Sequence, residues 1–303
     1  MMNNLNSIDG MILKAVGGLY YTETPEGVFE CKARGIFRKH NISPCAGDRV
    51  ILTDISENTA VINEILPRKN SLIRPPLANL DHIVFVISTC EPSPNLTLLD
   101  KFLAIAEFKK IKSIIAVTKL DLQKNLQLAD IYRNSGAELL EIDYESPDSY
   151  MRLYNMTAGG ITAFTGNTGV GKSTLLNHID ENLGLKTGEI SKKLGRGRHT
   201  TRNVELYKLS NGGYIADTPG FSTFETQKYD IIMKDELADC FPEFRQYEGK
   251  CRFQNCSHTK EKGCEILEAV KSGDIPKSRH DSYMEMYEEA KQIKEWEIRR
   301  NSI

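Results

Sequence analysis

The chain has 303 residues, with 39 Lys and Arg against 41 Asp and Glu and a formal net charge of −2. That length has room for two or three domains with cores of their own, and near-neutrality confines any nucleic-acid contact to local patches. Seven cysteines argue against a complete disulfide framework, no run has the apolar length of a membrane span, and the first residues (MMNNLNSIDG) lack the basic and apolar regions of an export signal. A cytoplasmic protein whose thiols are free or metal-bound is therefore expected.

Residues 1–67 read as about five short strands: runs on either side of Gly17-Gly18, then 27–34, 47–52 and 60–65, with no helical pattern between them. This predicts a small β-barrel of the OB-fold type. Lys32, Arg34, Arg38 and Lys39 with Phe29 and Phe37 offer either a basic, aromatic face for RNA or an ordinary solvated barrel surface. Residues 66–76 (LPRKNSLIRPP), charged and punctuated by proline, read as a linker.

From residue 81 the pattern changes. Buried-strand runs at 81–88, 113–117, 137–142, 160–165 and 213–217 alternate with helical patterns at 98–108, 126–134 and 173–179. Such alternation predicts a doubly wound, parallel sheet that binds ligands at the carboxyl ends of its strands. This second domain is expected over 68–228 and a third over 229–303. His82, at a strand start, reads as a surface residue rather than a ligand.

The strand at 113–117 runs into Thr118-Lys119-Leu120-Asp121, which has the form [NT]-K-x-D. A carboxylate at Asp121 can accept both N1–H and the 2-amine of guanine; adenine offers neither donor and would leave it unpaired. The Lys119 stem can lie over the base. Thr118 stands where Asn is commoner, so the loss of one amide contact to the base or phosphate loop is expected.

Gly166-Asn167-Thr168-Gly169-Val170-Gly171-Lys172-Ser173, followed by Thr174, matches G-x-x-x-x-G-K-[ST] between a strand and a helix. Its glycines allow backbone N–H groups to converge on phosphate oxygens at a helix N-terminus. Lys172 is expected on the β and γ phosphates and Ser173 on Mg²⁺. Further on, Asp217-Thr218-Pro219-Gly220 ends another strand, with Asp217 expected to hold Mg²⁺ through water and the Gly220 N–H to meet the γ-phosphate. Between them lies Gly197-Arg198-His199-Thr200-Thr201; either Thr200 or Thr201 closes on Mg²⁺. Phe221 follows the Asp-Thr-Pro-Gly turn where many GTPases place a water-orienting Gln, so slow intrinsic turnover is expected. The missing group then comes from His199 or a bound partner, or His199 is an RNA or phosphate contact. The stretch 186–202 is basic, with Lys186, Lys192, Lys193, Arg196, Arg198 and Arg202 against Glu189 alone.

Cys251, Cys256, His258 and Cys264 have the spacing C-x₄-C-x-H-x₅-C, a closed Cys₃His set suited to one structural Zn²⁺. Cys31, Cys45, Cys90 and Cys240 lack such neighbours and read as plain thiols. Helices are expected at 266–272 and from 280 to about 300, the latter ending in Arg299 and Arg300.

In an ordinary GTPase the guanine-reading motif follows the Asp-x-x-Gly strand; here 118–121 precede the phosphate loop and 217–220 come last. With a barrel before and a Cys/His cluster after, the whole chain resembles the circularly permuted GTPases of the bacterial ribosome small subunit-dependent GTPase A family. The likeness extends to Cys31-x-x-Arg34-Gly35, Gly47-Asp48 and Ser278-Arg279-His280-x-Ser282-Tyr283. It implies a GTP hydrolase of late small-subunit assembly, with GTP and GDP, Mg²⁺ and Zn²⁺ as ligands and the small ribosomal subunit and its rRNA as partners. No membrane contact is expected, and the protein is expected to be monomeric. A Ser-Ala loop that supports the base is implied near 141–145, where this chain reads Glu-Ile-Asp-Tyr-Glu. The other reading left open is a GTP-sensing, RNA-binding assembly factor in which hydrolysis is incidental.

Overall fold

The structure, a computed structural model, describes residues 7–39, 42–122, 127–183, 204–217 and 231–293. Strands β1 (Ile8–Val16), β2 (Leu19–Thr24), β3 (Gly27–Ala33), β4 (Arg49–Ser56) and β5 (Thr59–Ile65) close into a barrel in the order β1-β2-β3-β5-β4. β3 and β5 run parallel and the other pairs antiparallel, the connectivity of an OB-fold. Period-two alternation turns Ile12, Phe29, Cys31, Val50, Leu52 and Ile62 inward. The β1–β2 hairpin turns on Gly17 and Gly18, with φ of +60° and +85°, as a two-residue turn requires.

Three expectations change here. A five-residue helix, α1 (Gly35–Lys39), follows β3; it is too short for a helical period to register in the sequence. Phe29 cannot belong to an aromatic RNA-facing surface, because its alternation with Cys31 places it in the barrel core. Of the proposed face, Lys32, Arg34 and Lys39 are exposed, while Phe37 leans on the core and the Arg38 side chain lies outside the described part.

The third concerns residues 66–76, which are packed rather than free. β6 (Ser71–Leu72) and β7 (Leu77–Ala78) form a small antiparallel pair that buries Leu72, Leu77 and Ala78. Arg68 grips the buried Asp48 carboxylate through Nε at 2.6 Å and Nη2 at 2.7 Å. A Cβ on Gly47 would stand 2.1 Å from the Ala78 carbonyl oxygen. Gly47-Asp48 is thus the seam between the barrel and the segment that leads out of it.

The second unit is a six-stranded sheet in the order β10-β9-β8-β11-β13-β12. It comprises β8 (His82–Ser88), β9 (Lys112–Thr118), β10 (Glu138–Glu141), β11 (Ile161–Thr165), β12 (Leu206–Lys208) and β13 (Tyr214–Asp217). All pairs are parallel except β12 with β13. Helices α2 (Leu96–Phe108), α3 (Gln127–Tyr132), α4 (Pro147–Met156) and α5 (Lys172–Ile179) make the crossovers. Alternate β8 residues serve opposite faces: Ile83 and Phe85 pack towards α2, and Val84 and Val86 towards α5. α4 and β12 escape sequence reading because α4 buries only Leu153 and β12 is a three-residue edge strand.

The C-terminal unit is mainly helical, with α6 (Glu265–Ser272) and α7 (Lys277–Gln292). The tail expected to reach Arg299 and Arg300 lies outside the described residues. α7 packs on α2, where Lys101 pairs with Glu285 at 2.9 Å and Glu289 at 2.8 Å. Beneath them Arg279, fully buried, donates to Asp100 of α2 at 2.7 Å and to Glu243 at 2.7 Å. Tyr132 adds its hydroxyl to Asp100 at 3.0 Å, and the guanidinium lies 4.8 Å from the Phe241 ring centre.

Candidate nucleotide site and metal centre

Strand register brings the scattered motifs to one edge of the sheet. Ser88 pairs with Thr118, Thr165 with Phe85, and Phe164 with Asp217, so β8, β9, β11 and β13 end side by side. The chain builds outward from β8 to β9 and β10, then returns to the other side of β8 as β11. That reversal opens a crevice at the strands' carboxyl ends, and residues 166–173 stand there.

The glycines of this loop are sterically required. A Cβ on Gly166 would sit 2.5 Å from the Val86 carbonyl oxygen, and Gly169 and Gly171 hold φ of +87° and +93°. Gly171 caps α5 without a side-chain cap hydrogen bond. Backbone N–H groups at a helix N-terminus and the helix dipole together suit an anion. Lys172 and Ser173 open the helix directly behind this point.

The turn at 118–121, expected to read the base, is locked to the glycine loop at 166–173. Thr118 is fully buried, and its hydroxyl lies 2.5 Å from the Val170 carbonyl oxygen and 3.0 Å from that of Ile87. The expected loss of contact with the phosphate loop therefore does not occur: a hydroxyl makes the link. Lys119 adopts φ of +59°, held by the Thr89 hydroxyl on its carbonyl at 2.8 Å, and its Nζ donates to the Glu91 carbonyl at 2.6 Å. Asp121 projects into solvent beyond this turn.

On the far side, the Ile142 N–H donates to Val117 at 2.8 Å and brings Tyr144 against the loop. A Cβ on Gly171 would lie 3.6 Å from the Tyr144 hydroxyl and 3.7 Å from that of Thr118. Sequence reasoning did not assign Tyr144; the missing Ser-Ala pair was the only signal of an altered loop. Asp217 ends β13 at the same edge, though its side chain is not described. Gly197, His199, Thr200, Thr201 and Gly220 lie outside the described residues, as do Phe221 and the basic stretch from Lys186 to Arg202.

The second site is the Cys/His loop. The donor atoms of Cys251, Cys256, His258 and Cys264 all lie within 4.8 Å of one another. His258 Nδ1 is 3.7 Å from Cys251 Sγ and 3.5 Å from Cys264 Sγ, and the two sulfurs are 3.9 Å apart. A tetrahedral cation with zinc's bond lengths separates two sulfurs by about 3.8 Å and sulfur from nitrogen by about 3.6 Å. The donor set fits such an ion.

The loop is braced from outside. His280 Nε2 donates to the His258 carbonyl at 2.8 Å, and the Tyr283 hydroxyl to that of Ser257 at 2.8 Å. Glu261 accepts the backbone N–H groups of Ser257 at 2.9 Å and of Thr259 and Lys260 at 3.1 Å, together with the Ser257 hydroxyl. Burial opposes ionisation of Glu261, but these donors outweigh it and bring the carboxyl down to about 2. Three residues of Ser278-Arg279-His280-x-Ser282-Tyr283 are thereby placed: Arg279 reaches α2, while His280 and Tyr283 hold the Cys/His loop. The other four cysteines are free thiols outside this cluster.

An N-terminal OB-type barrel, a doubly wound sheet whose base-reading turn precedes its phosphate loop, and a Cys/His-bearing helical unit define a circularly permuted GTPase. Residues 9–62 match the model of the RsgA N-terminal domain, and residues 65–227 that of the RsgA GTPase. The chain is 42% identical over 293 residues to the small ribosomal subunit biogenesis GTPase RsgA of Ruminiclostridium cellulolyticum, covering 95% of each. To that of Bacillus subtilis it is 41% identical over 297 residues, 94% of this chain and 98% of the relative. Among solved structures, YjeQ from Thermotoga maritima has a TM-score of 0.79 at 30% identity, over 95% of this chain and 100% of that one. YloQ, described as a circularly permuted GTPase, has a TM-score of 0.75 at 33% identity, over 97% and 98%. This chain belongs to the RsgA GTPase family.

Proposed function

We propose that this GTPase binds the small ribosomal subunit late in its assembly and leaves on hydrolysis of GTP. The observation that carries the nucleotide reading is the Thr118–Val170 contact, which fuses the base-reading turn to the phosphate loop. Asp121 reads the N1–H and 2-amine of guanine, and Lys119 covers the ring. The amides of residues 166–171 and the start of α5 cradle the phosphates, with Lys172 on the β and γ groups and Thr174 in the same turn. Ser173 and Asp217 would hold Mg²⁺, joined by Thr200 or Thr201, and the ion would offset charge building on the β- and γ-phosphate oxygens. The relatives named for small-subunit biogenesis, aligned over nearly the whole chain, support the choice of partner.

The domain limits follow as 1–67, 68–228 and 229–303, supported by the two matched stretches. Barrel and C-terminal unit would grip rRNA, the latter built on one Zn²⁺ held by Cys251, Cys256, His258 and Cys264. The same reading takes the protein as cytoplasmic and monomeric; no helix among the described residues is long and apolar enough to cross a membrane. Residues just after Gly220 lead straight into the C-terminal unit, so a change there on hydrolysis would reach that unit directly.

Turnover measured with and without purified small subunits tests this reading, and a rate unchanged by subunits overturns it. Phe221, standing where a water-orienting Gln is common, keeps the second reading of a GTP-sensing factor with incidental hydrolysis. A non-hydrolysable GTP analogue separates the two: a hydrolysing switch stays on the subunit only with the analogue, whereas equal release with GTP and analogue favours the sensor. His199→Ala assayed in the same way tests whether His199 supplies the missing group; unchanged stimulated turnover removes it from catalysis.

A further inference from the structure

Tyr144 stands where the family resemblance implies a Ser-Ala loop beside the base. Its hydroxyl is buried and has no hydrogen-bond partner among the described residues. It lies at the junction of Gly171, the last glycine of the phosphate loop, and Thr118, the first residue of the base-reading turn. The ring is held from behind by α5: its centre is 4.5 Å from that of His178, whose Nδ1 is 2.8 Å from the Thr174 carbonyl oxygen. Tyr150 packs edge-on against the same imidazole at 5.4 Å. Burial, and then the nearby Asp121 carboxylate, push the phenol up to about 12, so at neutral pH it is a donor.

A buried hydroxyl without a partner is costly, and an acceptor brought by a ligand removes that cost. Asp121 accepts from N1–H and the 2-amine of guanine and leaves O6 to be recognised by something else. We propose that Tyr144 is a base-binding residue whose phenolic hydroxyl donates to guanine O6, taking over the role of the absent Ser-Ala loop. The proposal rests on the guanine reading of residues 118–121. Carbonyl O6 is the acceptor the phenol lacks, whereas adenine carries an amine at that position. Tyr144 and Asp121 would thus read adjacent parts of one base edge from opposite sides.

The test compares GDP with 6-thio-GDP, whose sulfur is a poorer acceptor, by calorimetric titration of the full chain. Wild type is expected to bind GDP roughly 3- to 10-fold more tightly than 6-thio-GDP. Tyr144→Phe, which keeps the ring against His178 and removes one oxygen, should lower GDP affinity by a similar factor and erase most of that preference. A variant that binds GDP as wild type does, or loses GDP and 6-thio-GDP equally, overturns the proposal. If Tyr144→Phe does not fold, wild type alone decides, since equal affinity for the two nucleotides overturns it. Asp121→Asn, titrated with GDP and XDP, separates the two layers. No shift towards xanthine removes the guanine reading itself, whereas a normal shift beside a neutral Tyr144→Phe removes only Tyr144.

Discussion

The Thr118 hydroxyl and the Val170 carbonyl oxygen are 2.5 Å apart, although 52 residues separate them in the chain. One belongs to the turn after β9 and the other to the phosphate loop after β11, and β8 lies between these strands in the sheet. The contact fixes the distance between the turn proposed to read the base and the loop proposed to hold the phosphates, which a bound nucleotide would span.

Thr118→Val keeps the shape of this buried residue and removes the hydroxyl. It strips the Val170 carbonyl of its donor, a cost of about 1–3 kcal/mol shared between loop placement and stability. GDP affinity is expected to fall by about fivefold or more, with far-UV circular dichroism unchanged. Affinity equal to wild type would show that the contact does not position the loop.

Arg279→Ala leaves Asp100 and Glu243 buried without their cation. Breaking such a cluster from one side costs about 3–5 kcal/mol, and Arg279→Lys should rescue little because an ammonium cannot span both carboxylates as the guanidinium does. Chemical denaturation reads the loss directly. Replacing Arg279, Asp100 and Glu243 together by Met, Leu and Leu is expected to recover most of the stability, since no uncompensated charge then remains.

Glu23 ties the barrel to the sheet: its carboxylate accepts from Lys208 Nζ at 2.9 Å and from the Tyr214 hydroxyl. Lys14 and Glu205 pair nearby at 2.9 Å. Burial raises the Glu23 carboxyl, but the hydrogen bonds from Tyr214 and Lys208 outweigh it and leave the folded value below the usual one. A carboxyl lowered by folding stabilises fully above its unfolded value, about 4.3, and loses that contribution as pH falls through the folded value. The Tm gap between wild type and Glu23→Gln is therefore expected to be widest near neutrality and to close in strong acid. A gap that stays constant from about pH 7 to about pH 3 would contradict the assignment.

Metal removal should act on the C-terminal unit alone. With few apolar side chains in residues 251–264, the loop is expected to depend on the proposed zinc for order. Zinc-selective chelation with Mg²⁺ kept in excess, or Cys256→Ser, is expected to release a single equivalent of zinc and lower the Tm. GDP binding should persist, because residues 118–121 and 166–173 touch none of the four ligands. Loss of GDP affinity on chelation would place the ion in a different role.

By itself, the sequence determined the local chemistry. Period-two runs named the barrel, apolar runs named the parallel strands, and contiguous motifs marked residues 118–121, residues 166–173 and the Cys/His cluster. Each of these is written in neighbouring residues, because strand alternation, glycine conformation and short metal-binding loops are local requirements. Tertiary structure decided what depends on residues meeting across the chain. The packing of residues 66–76 came from Asp48, the burial of Phe29 from barrel closure, and the link between helical unit and sheet from Asp100, Glu243 and Arg279 converging. Thr118 and Tyr144 acquired their places in the same way, since the distance from a hydroxyl to an acceptor on another strand is set by sheet order and register, which no short stretch of residues records.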